Sequence, residues 1–169
     1  MQDKHYARAE DPLARGLERV TERWSVLILR ECFYGATRFE QYRQELGIAP
    51  NILTQRLAML VEEGLLVRRA YSKHPPRFEY LLTDMGRAFR PVLLTLLAWG
   101  NKHFAPNGAR VVLTEAASGR LVEMALVDRQ TGREITPTNR LRRVLRRQAV
   151  VSEPSTSNSP QAVDPEKEQ

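Results

Sequence analysis

The residues from Ile48 to Thr83 constrain the fold more than any other part of the chain. They read as one amphipathic helix, a glycine, and two short β-type runs that flank a basic segment with two adjacent prolines. Residues spaced by three or four positions share one face of a helix, so this helix has an inner and an outer stripe. The inner stripe is Leu53, Leu57 and Leu60, and the outer stripe is Asn51, Thr54, Gln55 and Ala58.

The outer stripe carries amides and a hydroxyl but no carboxylate. Such side chains suit the edges of DNA bases, where Asn or Gln pairs with adenine through two hydrogen bonds. We therefore interpret residues 50–63 as a recognition helix followed by a wing. The alternative is an ordinary surface helix followed by an ordinary hairpin, because polar outer faces are common.

The segment before this helix favours the first interpretation. Phe39, Tyr42 and Leu46 follow one helical stripe, and Gly47 ends that helix. Pro50 then occupies the first position of the next helix, where its missing N–H costs nothing. Two helices joined by a turn of three or four residues with a glycine have the spacing of a helix-turn-helix.

The wing is predicted from strand-like alternation after Gly64. Residues 65–71 form the first strand, and apolar residues alternate in the returning strand, 78–82. The prolines at 75 and 76 are expected to interrupt the ladder, so residues 72–77 are predicted to protrude as a loop. Its basic residues would straddle a phosphate backbone, although a solvated charged hairpin is the alternative. The predicted DNA contacts are Arg38, Pro50, Asn51, Thr54, Gln55, Arg56, Arg68, Arg69, Lys73, His74 and Arg77.

Two further helices are predicted before this unit. Asp11 is expected to cap the first helix, with Pro12 at its first position. Residues 24–34 (WSVLILRECFY) are apolar around most of the helix circumference, which predicts a helix central to the core.

The helix after the wing, from about Asp84 to His103, has more apolar surface than its own domain requires. Pro91 is expected to kink it or split it in two. Its surplus apolar face is predicted to pack against a second subunit, and the alternative is complete burial within the monomer. The residues that this helix contributes to the predicted dimer interface are Phe89, Val92, Leu93, Leu96, Leu97 and Trp99.

The composition indicates an anionic partner and excludes several other classes of protein. The net charge is +6 and the pI about 9.9. The chain has no apolar run long enough for a transmembrane helix, and its polar start differs from a signal peptide. A single cysteine, Cys32, is consistent with a cytoplasmic protein and is interpreted as a buried structural thiol rather than a sensor.

An enzyme is the main alternative from another functional class. The three histidines are scattered at positions 5, 74 and 103, and the sequence has no nucleophile elbow, phosphate loop or cluster of metal ligands. We therefore predict no catalysis, no cofactor and no metal. A third interpretation keeps the winged helix as a protein-interaction module, which a steep salt dependence of DNA binding would exclude.

Several motifs, in a fixed order, resemble those of one known family. They are W-x-x-x-I-L-R from Trp24, R-F from Arg38, L-T-Q-R-L from Leu53, E-E-G-L from Glu62, P-P-R-x-E-Y from Pro75, L-T-D-M-G from Leu82 and A-W-G from Ala98. Over roughly residues 12–104, the chain resembles the HxlR-type winged helix-turn-helix transcriptional regulators of bacteria, which are MarR-like.

The resemblance implies an α+β fold that is mainly α, with a β-hairpin wing, flanking dimerisation helices and a small C-terminal β extension. It also implies a homodimer that regulates transcription, with two recognition helices in successive major grooves of a pseudo-palindromic operator. In such a dimer the first and last helices form the interface, so Leu13 and Leu17 of the first helix join the interface residues of the last helix. The wing, about Arg68–Tyr80, would then lie on the backbone or minor groove. Aromatic residues near the dimer helices (Trp24, Phe89 and Trp99) would line either a small-molecule effector pocket or, as we prefer, the core.

Two positions depart from the family pattern. Redox-responsive members have Cys-Pro near the first helix, whereas this chain has Asp11-Pro12, so thiol sensing through that position is excluded. Ala49 replaces the usual serine-like cap before the recognition helix and cannot accept the capping hydrogen bond.

The predicted domains are a flexible arm (1–11), the winged helix-turn-helix and dimerisation domain (12–104), a β-meander with a short basic helix (109–148) and a disordered tail (149–169). The meander strands are predicted at Arg110–Leu113, Leu121–Val127 and Arg133–Ile135. This extension lacks the Cys and His residues of a metal ribbon, and it would either hold a ligand or widen the dimer. The basic segment Arg140–Arg147 is interpreted as an additional phosphate contact or as a plain surface helix.

Overall fold

A computed structural model of the chain describes residues 11–20, 22–109 and 111–141. The predicted arm up to residue 10, the basic segment from residue 142 onwards and the tail lie outside these ranges. The elements described are six helices and one hairpin. In chain order they are α1 (Pro12–Arg19), α2 (Arg23–Phe33), α3 (Phe39–Leu46), α4 (Pro50–Glu62), β1 (Leu66–Lys73), β2 (Pro76–Leu82), α5 (Asp84–Ala88) and α6 (Arg90–Phe104). The predicted α+β fold, mainly α with a hairpin wing, is confirmed.

The helix ends follow local chemistry. Asp11 Oδ1 accepts a hydrogen bond from the Leu13 N–H at 2.9 Å, which caps α1 as predicted. Gly47 ends α3 in the left-handed conformation, with φ of 60°. The predicted long helix after the wing is split at Phe89, because Pro91 fits only the first turn of α6.

The core lies between α2, α3, α4 and the base of the hairpin. The predicted inner stripe of α4 is buried, together with apolar residues from each neighbouring element. The fully buried side chains are Ile28, Leu29, Tyr42, Leu53, Leu57, Leu60 and Leu66. These contacts fix which face of α4 remains outside, since the inner stripe cannot be exposed without losing the core.

The hairpin is longer and tighter than predicted. β1 and β2 pair antiparallel from Leu66 opposite Leu82 to Lys73 opposite Pro76, with an irregularity between Ala70 and Ser72. The prediction of a protruding loop at residues 72–77 was therefore wrong, because a proline is tolerated as the first residue of a strand. The turn itself is His74-Pro75, joined by a cis peptide bond.

A short extended segment before α3 adds a third partner to the hairpin. Arg38 forms an isolated β-bridge with Glu79, and the Tyr80 N–H donates to the Thr37 carbonyl oxygen at 2.7 Å. The Gln41 side-chain oxygen accepts from the Thr37 and Arg38 N–H groups at 3.0 and 2.9 Å, which holds this segment at the start of α3. The wing is thus attached to the start of α3 as well as to α4.

The chain divides into two compact units, residues 1–125 and 126–169. In the first unit, Thr114 and Leu121 form an isolated bridge after α6. In the described part of the second, Val127 and Glu134 form another. The three predicted meander strands are therefore not formed in the described segment. A two-stranded hairpin that has no further strands and no covering layer is only marginally stable, so longer pairing adds little stability.

Candidate nucleic-acid interface

The outer face of α4 is open. Asn51, Thr54, Gln55 and Ala58 are all exposed, whereas the inner stripe of the same helix is buried. Ala49 precedes the helix and makes no side-chain capping bond, as predicted, so no side chain covers the first turn from that position. The helix therefore presents its amides and its amino-terminal turn on one accessible surface.

The three polar side chains on this face differ in what they offer to a ligand. Within the described part of the chain, the amides of Asn51 and Gln55 make no hydrogen bond, so both donors and acceptors are available. The Thr54 hydroxyl donates to the Pro50 carbonyl oxygen at 2.9 Å. The hydroxyl hydrogen is therefore already donated within the helix, and Thr54 offers a ligand only a hydrogen-bond acceptor and a methyl group.

Arg56 does not belong to this face, although the sequence placed it among the DNA contacts. Its Nη2 pairs with Glu22 Oε1 at 2.5 Å, its Nη1 contacts Met59 Sδ at 3.0 Å, and its side chain is only 11% exposed. The spacing explains this placement, because Arg56 lies three residues after Leu53 and four before Leu60, on the edge of the buried stripe. We therefore leave Arg56 out of the interface.

The tip of the wing is basic. Lys73, His74 and Arg77 are exposed, and none of them forms an ion pair with any residue that the structure describes. Arg69 differs, because Glu79 lies directly opposite and pairs with its Nε at 2.8 Å. Glu79 thus offsets the charge of Arg69, which makes it a weaker phosphate ligand than the sequence suggested.

Two other predicted arginines stack on aromatic rings. The Arg68 guanidinium carbon lies 3.5 Å from the centre of the Phe78 ring, and that of Arg38 lies 4.6 Å from the centre of the Tyr71 ring. Such stacking orients a guanidinium without neutralising it. Both groups therefore remain cationic, one on the wing and one at the start of α3.

The sequence did not reveal the role of Tyr42 in positioning the wing. Its hydroxyl donates to the Ala36 carbonyl oxygen at 2.7 Å and lies 3.3 Å from the Tyr80 carbonyl oxygen on β2. Burial raises the pKa of Tyr42, so the hydroxyl stays protonated as a donor. The sequence did carry one signal for this role. Tyr42 belongs to the inward-facing stripe of α3, and a buried phenol hydroxyl requires a hydrogen-bond partner.

Cys32 lies beside this hydroxyl, with Sγ 3.1 Å from Tyr42 Oη. Burial raises the pKa of the thiol to about 11. The predicted structural thiol is consistent with this environment, because the thiolate is the reactive form and is disfavoured here.

This environment predicts slow reaction of Cys32 with thiol reagents. At pH 8 the thiolate fraction should be about 100-fold lower than that of an ordinary cysteine, because the pKa rises from 9.0 to about 11. We expect alkylation by iodoacetamide to be roughly tenfold slower in the native chain than in the same chain unfolded in urea, because a thiolate of higher pKa is also more nucleophilic and offsets part of its lower population. Equal rates in the two states would contradict a buried thiol.

The predicted dimer residues fall into two groups. Phe89 and Leu93 pack against the core of their own chain, so the inner side of α6 is already used. The others are exposed or half-buried, and the strongly exposed ones are Leu13, Leu17, Val92, Leu96 and Trp99. An apolar face on α6 and another on α1 thus lack a covering partner within the described chain.

The described residues form neither a metal-binding cluster nor a membrane-spanning helix. The described ranges contain no group of three or more His, Cys, Asp or Glu residues arranged to hold a metal ion. None of the helices in those ranges is both long and apolar enough to cross a bilayer.

Comparison with known proteins identifies the family. The chain matches the HxlR-like helix-turn-helix family over residues 19–108, which include α2 to α6 and the hairpin. It belongs to that family. The predicted resemblance is confirmed, and the chain is a helix-turn-helix transcriptional regulator rather than an enzyme.

Three relatives illustrate the match in sequence and in fold. An uncharacterised helix-turn-helix transcriptional regulator of Mycobacterium tuberculosis is 41% identical over 130 residues, which is 76% of this chain and 82% of that protein. The solved structure of PA1607, a candidate transcription factor, is 38% identical, has a TM-score of 0.72 and covers 83% of this chain and 99% of its own. A second candidate transcription factor, PA1374 of Pseudomonas aeruginosa, is 47% identical, with a TM-score of 0.55 over 74% of this chain and 86% of its own.

Proposed function

We propose that this regulator binds double-stranded DNA as a homodimer, with α4 in the major groove and the wing on the adjacent backbone or minor groove. The carrying observation is the outer face of α4, which exposes two amides with no hydrogen-bond partner among the described residues, on a helix whose opposite face is buried in the core. A side chain that reads a base must be accessible and must be carried by an element that is held in orientation. Asn51 and Gln55 satisfy both conditions.

The two parts of the interface have different roles. Asn51, Thr54 and Gln55 read base edges, with Thr54 restricted to accepting a hydrogen bond or contacting a thymine methyl group. The cations of the wing and the start of α3 bind phosphates, which positions the protein without reading sequence. The cations are Arg38, Arg68, Lys73 and Arg77, and His74 at the tip of the wing adds a hydrogen-bonding side chain. Pro50 belongs to the proposed interface at the first position of α4.

The uncovered apolar faces of α1 and α6 support the dimer. Leu96 and Trp99 are 47% and 53% exposed, and Leu13 is 70% exposed. A second copy of the chain would bury these side chains and present two recognition helices related by a twofold axis. Half-sites would then lie about one helical turn apart in a pseudo-palindromic operator.

Gln55→Ala tests base reading. The variant is expected to lose roughly 1–3 kcal/mol of discrimination between the cognate site and random DNA, because the bidentate contact is lost and the phosphate contacts remain. The measurement is a pair of titrations, one on each DNA, monitored by fluorescence anisotropy. Gln44→Ala, an exposed glutamine on α3, is the matched control and should preserve the discrimination. An equal loss on both DNAs for Gln55→Ala would count against base reading by this residue.

Arg77→Ala tests the wing. The variant should bind cognate and random DNA more weakly by the same factor, and the slope of log affinity against log salt should fall by about one per half-site. Arg120→Ala is the control, since Arg120 belongs to the segment after α6 and lies 3.7 Å from Glu115. A salt slope that is the same for wild type and Arg77→Ala would remove Arg77 from the phosphate contacts.

A further inference from the structure

The connection between α1 and α2 is attached to α4 at two points. Arg19, in the last turn of α1, forms an ion pair with Glu63 at the end of α4. Glu22, which directly precedes α2, pairs with Arg56 of α4 at 2.5 Å. Arg56 and Glu63 are seven residues apart, so they lie on the same side of α4 and about 10.5 Å apart along its axis. The connection therefore follows α4 over about two helical turns.

The order of charges in the two pairs permits one arrangement only. The connection carries an arginine and then a glutamate, and α4 presents an arginine and then a glutamate. Exchanging the partners would bring Arg19 to Arg56 and Glu22 to Glu63, and like charges in contact repel each other. The two pairs therefore fix the register of the connection along α4 as well as its proximity.

The carboxyl end of α4 requires a cation from another element. Glu62 and Glu63 both lie at that end, and the last turn of α4 contains no basic residue. Carboxylates are unfavourable there because the helix dipole is also negative at its carboxyl end. The Arg19 guanidinium supplies a positive charge at this place. Arg19 thus has a specific electrostatic reason to stay on α4.

Apolar packing does not hold α1 as it holds α2, α3 and α4. Helix α1 buries none of its own residues, and Val20 at its carboxyl end packs only partly against the core. The side chains of Arg19 and Glu63 are 50% and 33% exposed. An exposed ion pair contributes little to the free energy of unfolding. The role that remains for this pair is to fix the direction of α1 relative to α4.

We propose that Arg19 is a positioning residue, which sets the angle between α1 and α4 and thereby the separation of the two recognition helices in the dimer. Leu13 and Leu17, both exposed, belong to the face of α1 that contacts the partner in the proposed dimer. A helix that contacts the partner and is also fixed to α4 relates the two copies of α4 by one geometry. The inference rests on the proposed homodimer.

Distances between spin labels on the two copies of α4 test the proposal without DNA. Ala58 is exposed on the outer face of α4, so Ala58→Cys in a Cys32→Ala background carries the label. Pulsed electron paramagnetic resonance should give one narrow distribution for the chain with Arg19. Arg19→Glu should give a distribution roughly twice as broad, because the substituted carboxylate is repelled by Glu63 and α1 becomes a looser link. Equal widths in the two dimers would overturn the proposal.

A charge exchange separates the ion pair from other effects of the substitution. Arg19→Glu combined with Glu63→Arg re-forms the pair with reversed polarity and should restore the narrow distribution. Arg120→Glu makes the same change of charge at an exposed pair after α6, where Glu115 lies 3.7 Å away, and should leave the distribution narrow. Arg19→Gln removes the pair without repulsion and serves if Arg19→Glu fails to fold. A distribution that stays broad after the exchange would also overturn the proposal.

Operators with altered spacing measure the consequence for DNA binding. One inserted base pair rotates a half-site by about 34–36°, so the wild type should prefer the cognate spacing by about tenfold. In Arg19→Glu this preference should fall to about two- to threefold, with unchanged affinity for an isolated half-site, because α4 and the wing are intact. The same spacing preference in both proteins would overturn the proposal. A wild type that gives no distance between copies, or binds no DNA, would instead contradict the proposed function.

Discussion

Leu96→Glu is expected to yield a folded monomer that binds its operator about 10²–10⁴ times more weakly than the wild-type protein. Leu96 is 47% exposed on α6, so a glutamate is solvated in the monomer and should not disturb its core. In the proposed dimer the same glutamate would be buried without a partner, together with its twofold-related copy. Loss of the dimer removes the second recognition helix, and with it the high effective concentration at the second half-site.

Analytical ultracentrifugation and operator binding measure the two consequences together. Met85→Glu is the matched control, because Met85 is a 48% exposed apolar residue on α5, outside the proposed interface. It should remain dimeric and bind the operator almost as well as the wild type. A dimeric Leu96→Glu protein with undiminished operator affinity would rule out the α6 face as the interface.

Gly86→Ala should lower the free energy of unfolding by about 3 kcal/mol, since overpacking of this severity lies at or above the usual range of 1–3 kcal/mol. Gly86 is buried in α5, where an added Cβ would lie 2.2 Å from the Leu65 carbonyl oxygen and 3.0 Å from Leu82 Cδ2. The carbonyl belongs to the backbone immediately before β1, so it cannot move aside as a flexible side chain could. The strain therefore falls on the junction that joins α5 to the base of the wing.

The measurement is the free energy of unfolding in urea, with Gly100→Ala as the control for Gly86→Ala. Gly100 is also helical, and an added Cβ there meets no atom within 4 Å. Gly100→Ala should therefore stabilise the chain by roughly 0.5–1 kcal/mol through helix propensity. Loss of stability in both variants, or in neither, would mean that the close approach to Leu65 does not govern the effect.

Elements governed by local patterns were predictable from the sequence. The stripe of Leu53, Leu57 and Leu60 marked the buried face of α4, and therefore its outer face, because helical periodicity is a local property. Asp11 marked the start of α1 and Pro91 the split before α6, since a cap and a missing N–H act within one turn. The order of motifs then identified the family.

Features that depend on distant partners were not predictable. Arg56 and Arg69 looked like free cations until the fold placed Glu22 and Glu79 beside them. The pairing of β1 and β2 up to Pro76 depended on how the two strands meet at the tip of the wing. The isolated bridges after α6 depended on a lack of neighbouring strands in the described segment. Periodicity specifies a face, but it does not specify which group that face will meet.

We propose above all that two copies of α4 read two half-sites. Selection of bound sequences from a random duplex library, followed by hydroxyl-radical footprinting, tests it most directly. We predict an inverted repeat whose half-site centres lie about 10–10.5 base pairs apart, with affinity that falls steeply as salt rises. Enrichment of no sequence over the starting library, or of a single unrepeated half-site bound by one chain, would contradict it.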